Sequence, residues 1–520
     1  MSGSGWPARL DRRTFLAGAA GGLVAVSLAR CGGAGGRAQT TETVGGWLQP
    51  VSRRSVDGQL STTLRASEGP VLVANKDAGA VTYEQMYPGP TLEVRTGELL
   101  KVDLVNDTHE PTNLHTHGFH VSSLAPSDDV LFAIAPGHRF QYQYQLPADH
   151  PAGTYWYHAH DHPLTDEQVG LGLFGAVIIR GEEDAVSRVA PSGERVMVFS
   201  QVELKNGAIV PAPISSLSVQ STLVNGRYQP SLTIAPGEIQ RWRLVNASVV
   251  FLRFQLDGHV LHQMAVDGNT MAEVVPQEVV EIPPGGRVDV LVQLDREGTF
   301  NLRSLSFERF GVFNTSMVAV PQPVVRVVSQ GSPASPRPKL PEKLVPFDDL
   351  RHAKIDYRRT LRLQELEPRG IKATDPVYKN EFYRYYVDGR IFNLHRVDQT
   401  MVLGDTEEWY FVNETYEPHP IHIHQNPFQV VAVNDKPVDE RHYRDTATLP
   451  AFGTLTIRHR FLDYTGRFVW HCHILFHEDH GMMQLLEVVK GGRPETLAAI
   501  APGADFASEQ NPLECHLPLV

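Results

Sequence analysis

The stretch "FVWHCHILFHEDHGMM", residues 468–483, sets Cys472 between His471 and His473, adds His477 four positions further on, and ends in Met482 and Met483. The chain has only three cysteines in 520 residues, so a thiol in this company calls for a chemical explanation. Thiolate and imidazole together are donors for copper, zinc and iron. Neighbouring side chains on a strand point to opposite faces, so Cys472 belongs to a different site from His471 and His473. A thiolate with two imidazoles and a weak axial thioether is a blue-copper electron-transfer site. His477 can close it through a short turn, and His419, in "EPHPIHIH", is a natural second imidazole. Met482 can supply the axial sulfur, with Met483 as its rival. A methionine there, rather than Leu or Phe, points to a low-to-middle potential.

Four His-X-His pairs fall at matching places along the chain: His115 and His117, His158 and His160, His422 and His424, His471 and His473. On a strand, such a pair puts both imidazoles on one face. Two adjacent strands then offer four imidazoles, and two domains facing each other offer eight around a shared cleft. With Cys472 on one copper and its neighbours on two others, the backbone joins a one-electron site to a three-copper cluster. That arrangement can gather single electrons and deliver four of them to dioxygen.

The elements that must carry these residues are written as a repeat. "RTGELLKVDLVND", "APGEIQRWRLVNA" and "VLGDTEEWYFVNE" each place a glycine (Gly97, Gly237, Gly404) nine residues before an asparagine (Asn106, Asn246, Asn413). The spaces between these glycines are 140 and 167 residues, which is domain-sized and too long for a solenoid. A second shared pattern, "GTYWYHAH", "GTFNLRSL" and "GRFVWHCH", reads as a turn glycine entering a strand. The histidine pairs fall at matching places in the first and third repeats. The middle repeat has Gln255 and Asp257, then Arg303 and Leu305, at those places. It has the scaffold without the imidazoles.

Short, partly alternating strands with Gly and Pro turns predict an all-β chain of Greek-key β-sandwich or barrel domains. The expected divisions are an export signal and flexible segment at 1–44, domains at 45–185, 190–330 and 345–495, a Pro-rich linker at 331–344, and a tail at 496–520. The net charge of −12 argues against general nucleic-acid binding, which needs basic surfaces. Arg12 and Arg13, followed by a weakly apolar Gly/Ala run, read as a twin-arginine export signal. That directs the chain to the periplasm or the cell exterior. The run is too short and glycine-rich for a stable membrane span. No disulfide framework is visible, and a Cys31–Cys515 bridge requires that Cys31 be retained.

The motifs "HTHGFH", "YWYHAH", "HPIHIH" and "HCHILFHEDHGMM" strongly resemble the three-domain multicopper oxidases, in their bacterial laccase-like and bilirubin-oxidase-like branch. The resemblance covers about residues 45–495 and implies three cupredoxin-like domains with four copper ions. It implies a type 2 copper on His115 and His422. One type 3 copper falls to His117, His158 and His473, and the other to His160, His424 and His471. The type 1 copper falls to His419, Cys472, His477 and Met482. It also implies two proton-relay acids, Glu478 and Asp128, with Asp129 as the rival of the second. The partners implied are dioxygen and a small reducing substrate. A phenol or aromatic amine is the first expectation, and Cu(I), Mn(II) or Fe(II) the alternative. A non-catalytic exported copper-binding or cell-division scaffold is a third reading, disfavoured because every His and Cys ligand is kept. A monomer suffices, because the internal domains already build the interdomain site. The loop "DERHYRDTATLP" is a candidate for choosing the donor.

Overall fold

The computed structural model describes residues 43–44, 46–210, 221–307, 321–366, 384–492 and 517–520. Arg12 and Arg13, on which the export expectation rests, and Cys31 and Cys515 lie outside them. Strands dominate, and the helices are short, such as Thr165–Leu171 and Leu475–Asp479. No helix among the described residues is long and apolar enough to cross a membrane.

Period-two burial explains the strands. In Leu99–Asp107, Leu100, Val102, Leu104 and Asn106 are buried while the residues between them are not. In Thr406–Asn413, Trp409, Phe411 and Asn413 point inward in the same way. Each inward set needs an apolar partner layer, so the sheets stack face to face. The first unit pairs a five-stranded sheet, ending in Gly153–His158 and His115–His117, with the strands Lys76–Tyr83, Gln59–Val73, Leu99–Asp107 and Arg139–Gln145. The third unit pairs a six-stranded sheet with a five-stranded one. The order in that second sheet is Gln399–Val402, Met483–Val489, Gly466–Cys472, His419–Ile423, Thr446–Leu449. The middle unit has the same construction, and one of its sheets runs on into the first unit through the Ala208–Gly79 pairing. The result is three cupredoxin-like β-sandwiches.

The repeated glycine and asparagine have one job in all three units. Gly97, Gly237 and Gly404 take φ of +80°, +78° and +101°, a left-handed turn conformation that favours glycine. Each asparagine staples the turn after its strand. Asn106 Nδ2 donates to the carbonyls of Glu110 and Ile134, Asn246 Nδ2 to those of Val250 and Ile282, and Asn413 Nδ2 to those of Glu417 and Pro450. Each Oδ1 accepts from the backbone and hydroxyl of a Thr or Ser two residues on, namely Thr108, Ser248 and Thr415.

Three apolar cores fill the sandwiches, and a further cluster containing Trp156, Val196, Val245 and Leu475 lies where the units meet. Trp47, early in the sequence, buries in the middle core beside Met197 and Trp242. The Pro-rich segment runs along the middle unit, where Ala334 N donates to Pro236 O and Gln293 Nε2 to Pro338 O. The end of the chain returns to the first unit, where Ala133 N donates to Pro518 O and Val520 N to Ala133 O.

Candidate metal centre

Strand pairing places the histidines before any side-chain contact is considered. His158 lies opposite His115 on the paired strands of the first unit. In the third unit His422 lies opposite His471, and Ile421 opposite Cys472. The imidazoles of the two units interleave. His115 stacks on His424 with centroids 3.9 Å apart, and His117 on His422 at 3.7 Å.

Among the described residues donor atoms converge in five groups, each within 4.8 Å and several sharing a histidine. One holds His115, His117 and His422, a second His117, His158 and His473, and a third His160, His424 and His471. A fourth holds His419, Cys472 and His477, and a fifth brings Asp128 to His115 and His424. His160 Nε2 and His424 Nε2 both lie 3.2 Å from His471 Nε2. All these side chains are buried.

Buried polar atoms without partners cost free energy, so a cluster of them marks where a ligand belongs. His115 Nε2, His117 Nδ1, His158 Nε2, His422 Nε2 and both ring nitrogens of His473 are buried without a hydrogen-bond partner among the described residues. Burial first, and the neighbouring imidazoles next, push His115, His158, His424 and His473 well below the usual histidine range. For His117 the positive Arg287 adds to this. These rings are therefore neutral, with lone pairs available, which is the form that binds metal. The donor set fits copper, which takes imidazole and thiolate.

The sulfur site lies on the other face of the same strand. Cys472 Sγ is 3.5 Å from His419 Nδ1 and 3.6 Å from His477 Nδ1, and those nitrogens are 3.3 Å apart. His419 and His422 are three apart on one strand, so they face opposite ways and serve different sites. Thr415, the hydroxyl of the third asparagine staple, contacts His419 Nε2 at 2.7 Å and turns its Nδ1 toward the sulfur. The His477 ring stacks on Tyr385 at 4.1 Å, and its Nε2 lies 3.5 Å from Glu417. Met482 packs in the cluster that contains Cys472, whereas Met483 packs with Val130, Phe392 and Val469.

Asp128 Oδ2 is 2.9 Å from His115 Nδ1, and its Oδ1 accepts from Thr116 N and Oγ1. Burial pushes the Asp128 carboxyl up to about 7. Asp129 instead accepts from the backbone of Ala125 and Leu131 and shapes its loop. Glu478 is fully buried, with Oε2 2.9 Å from His471 Nδ1 and Oε1 3.4 Å from His160 Nε2. Burial raises its carboxyl too. His120, His162 and His480 join none of the donor groups among the described residues. His120 instead bonds Gln425 O and Asp463, and His480 bonds Phe476 O.

Three residues of the cage were not singled out in the sequence. Asp445, inside the loop assigned above to donor choice, reaches His117 Nε2 at 3.0 Å. Arg287 and Asp267, from the middle unit, hold Asp445 in turn. The glycine pair Gly285–Gly286 directly before a strand-opening arginine was the available signal, since paired turn glycines mark close backbone approach. A Cβ on Gly285 would lie 2.6 Å from the His473 ring.

Comparison with known proteins agrees with this architecture. Three family models, each described as multicopper oxidase, match residues 66–184, 201–320 and 365–492. The laccase of Bacillus subtilis (strain 168) is 26% identical over 479 residues, covering 78% of this chain and 89% of that protein. The multicopper oxidase mco of Staphylococcus aureus is 25% identical over 453 residues, covering 84% of this chain and 90% of that one. A solved multicopper oxidase from Campylobacter jejuni, described as a metallo-oxidase, superposes with a TM-score of 0.73 at 26% identity, covering 84% of this chain and 92% of that chain. The chain thus belongs to the three-domain, laccase-like multicopper oxidases of bacteria, copper-dependent oxidoreductases that use dioxygen as acceptor.

Proposed function

We propose that the chain oxidises phenols or aromatic amines one electron at a time while reducing dioxygen to water. Four copper ions would be held as the resemblance implies: one by His115 and His422, one by His117, His158 and His473, one by His160, His424 and His471, and one by His419, Cys472, His477 and Met482. When bound, copper supplies the redox chemistry, matching four one-electron donors and four protons to one dioxygen and yielding two waters. The observation that carries this reading is the strand Gly466–Cys472. Its Cys472 sulfur faces His419 and His477 while the adjacent His471 faces the imidazole cage.

The protein's own part is positioning, dryness and proton supply. Asp128 Oδ2 faces His115 Nδ1 and Glu478 Oε2 faces His471 Nδ1, which sets both carboxyl groups beside the cage as proton carriers. Burial raises both carboxyl groups, so each keeps its proton to higher pH than an exposed acid and can pass it on at the cage. Tyr385 and Glu417, both buried, border His477 and so lie next to the ring through which a docked donor would pass its electron.

One observation favours a metal-ion oxidase as a second reading. Glu417 presents a carboxylate 3.5 Å from His477 Nε2, and carboxylate suits Mn(II) and other harder cations. The resemblance to the Campylobacter jejuni metallo-oxidase points the same way. Oxygen uptake by the copper-loaded chain, compared across a phenol panel and Cu(I), Mn(II) and Fe(II), separates the two. Uptake with phenols supports the first reading, and uptake with metal ions alone replaces it. The twin-arginine segment supports export of the folded chain to the periplasm or cell exterior. Retention in the cytoplasm of the unaltered chain would oppose that.

A further inference from the structure

The middle domain has no candidate ligand, yet one of its side chains reaches the cage. Arg287 opens the strand Arg287–Gln293 directly after Gly285 and Gly286. Its Nη1 and Nη2 donate in parallel to Asp445 Oδ1 and Oδ2 at 2.7 and 2.6 Å. Both side chains are buried, at 0% and 4% exposure. The guanidinium is fixed from other sides as well. Nε donates to Thr154 O in the first unit at 3.3 Å, and the Tyr155 ring lies under the group at 5.5 Å. Asp267 completes the frame: its Oδ1 accepts from Arg287 N, and its Oδ2 from Asp445 N and Thr446 N.

Asp445 is the contact point with the histidines. Its Oδ1 lies 3.0 Å from His117 Nε2 and 3.4 Å from His422 Nδ1, and its backbone carbonyl is 2.9 Å from the same His422 Nδ1. The outcome is selective. His117 is left with Nδ1 free and His422 with Nε2 free. The two rings thus present different nitrogens beside one residue, His117 held by the Asp445 carboxylate and His422 mainly by the Asp445 carbonyl, with Thr446 Oγ1 3.3 Å from each. The packing leaves no slack, because a Cβ on Gly118 would collide with both Arg287 Nη2 and Asp445 Oδ2.

We infer that Arg287 is a positioning residue: its two-point grip on Asp445 sets which ring nitrogen His117 and His422 turn toward copper, so the ligand-free middle domain decides the geometry of the cage. A planar guanidinium fork holds a carboxylate in one orientation, which a lysine ammonium cannot do. Partners behind a metal-binding histidine fix its tautomer, and losing one typically weakens metal binding about ten- to a hundredfold. The inference rests on the reading of His117 and His422 as copper ligands.

The test uses the full-length chain loaded with Cu(I) or Cu(II). It measures bound copper per chain, the blue absorption of the Cys472 site, and the electron paramagnetic resonance signal of cage copper. Arg287→Gln and Arg287→Lys are compared with the unaltered chain. The expected result is retention of the blue absorption, which reports a folded third domain, with copper at the cage bound about ten- to a hundredfold more weakly. Arg287→Lys keeps the charge but not the fork, so it should show the same selective loss. Should Arg287→Gln fail to fold, Arg287→Lys and the near-isosteric Asp445→Asn carry the decision. Full cage occupancy with an unchanged resonance signal in those variants, even with a lowered melting temperature, would reduce Arg287 to an interdomain staple and overturn the inference. An unaltered chain that takes up no copper at the histidines would instead overturn the ligand reading beneath it.

Discussion

At the residue scale the sulfur site makes the sharpest demands. Cys472 is the only soft anionic donor in its group, and His419 and His477 lie within 3.6 Å of it. Cys472→Ser should therefore abolish the blue absorption of the copper-loaded chain and reduce donor-driven oxygen uptake to background. Persistence of the colour would rule out sulfur as its source. The two methionines separate by packing, since Met482 lies in the cluster with Cys472 and Met483 in another. Met482→Leu should keep the blue colour and raise the reduction potential, because a weak axial sulfur donor is lost. Met483→Leu should leave the potential unchanged. Spectroelectrochemical titration of both variants checks the pair, and a shift with Met483→Leu alone would exchange their roles.

At the element scale, the turns and strand ends carry as much of the site as the ligands do. Gly285 sits at φ +80° directly against the His473 ring. Gly285→Ala combines a strained backbone with a clash that His473 must absorb, at about 1–3 kcal/mol. The melting temperature should fall and cage copper should be lost, while the blue colour stays. A second buried assembly ties the strand Gly153–His158 to the middle unit: Thr154 and Asp289 meet Arg241 and Arg243, which also grip Asp184 and Glu194. Arg243→Met leaves three buried carboxylates short of a partner and should cost about 3–5 kcal/mol, seen as a lower melting temperature. The assembly also predicts a pH dependence. Burial alone would raise the Asp184 carboxyl, but the charges of Arg243, Arg241 and Arg180 more than offset it and hold it well below the usual range. A lowered folded-state value means that this stability is present above the unfolded carboxylate value near 3.8 and is lost as pH falls through the lower folded value. Melting temperatures of the metal-free chain should drop below about pH 4, and Asp184→Asn should flatten that part of the profile.

At the scale of the whole molecule, the cage exists only where three units meet, so metal and interface should support each other. Anything bound only by the native state adds to its stability. Removing copper with a chelator should lower the melting temperature by several degrees, and returning copper should restore it. Equal melting of both forms would mean that the cage is not a native-state binding site. Much of this was legible in the chain itself. The candidate donors, their division between a sulfur site and an imidazole cage, and the threefold β architecture are local signals. They depend on side-chain type, on the two-residue period of a strand, and on glycine and asparagine at a fixed spacing. What the sequence could not determine is which nitrogen each ring offers, which of Asp128 and Asp129 touches a histidine, and that the ligand-free middle domain grips the cage through Arg287 and Asp445. Those contacts join residues 158 and 328 positions apart, and no local rule relates such positions. Only packing three sandwiches against one another brings a buried guanidinium, a carboxylate and an imidazole within hydrogen-bonding distance, where each must satisfy the others because water is excluded.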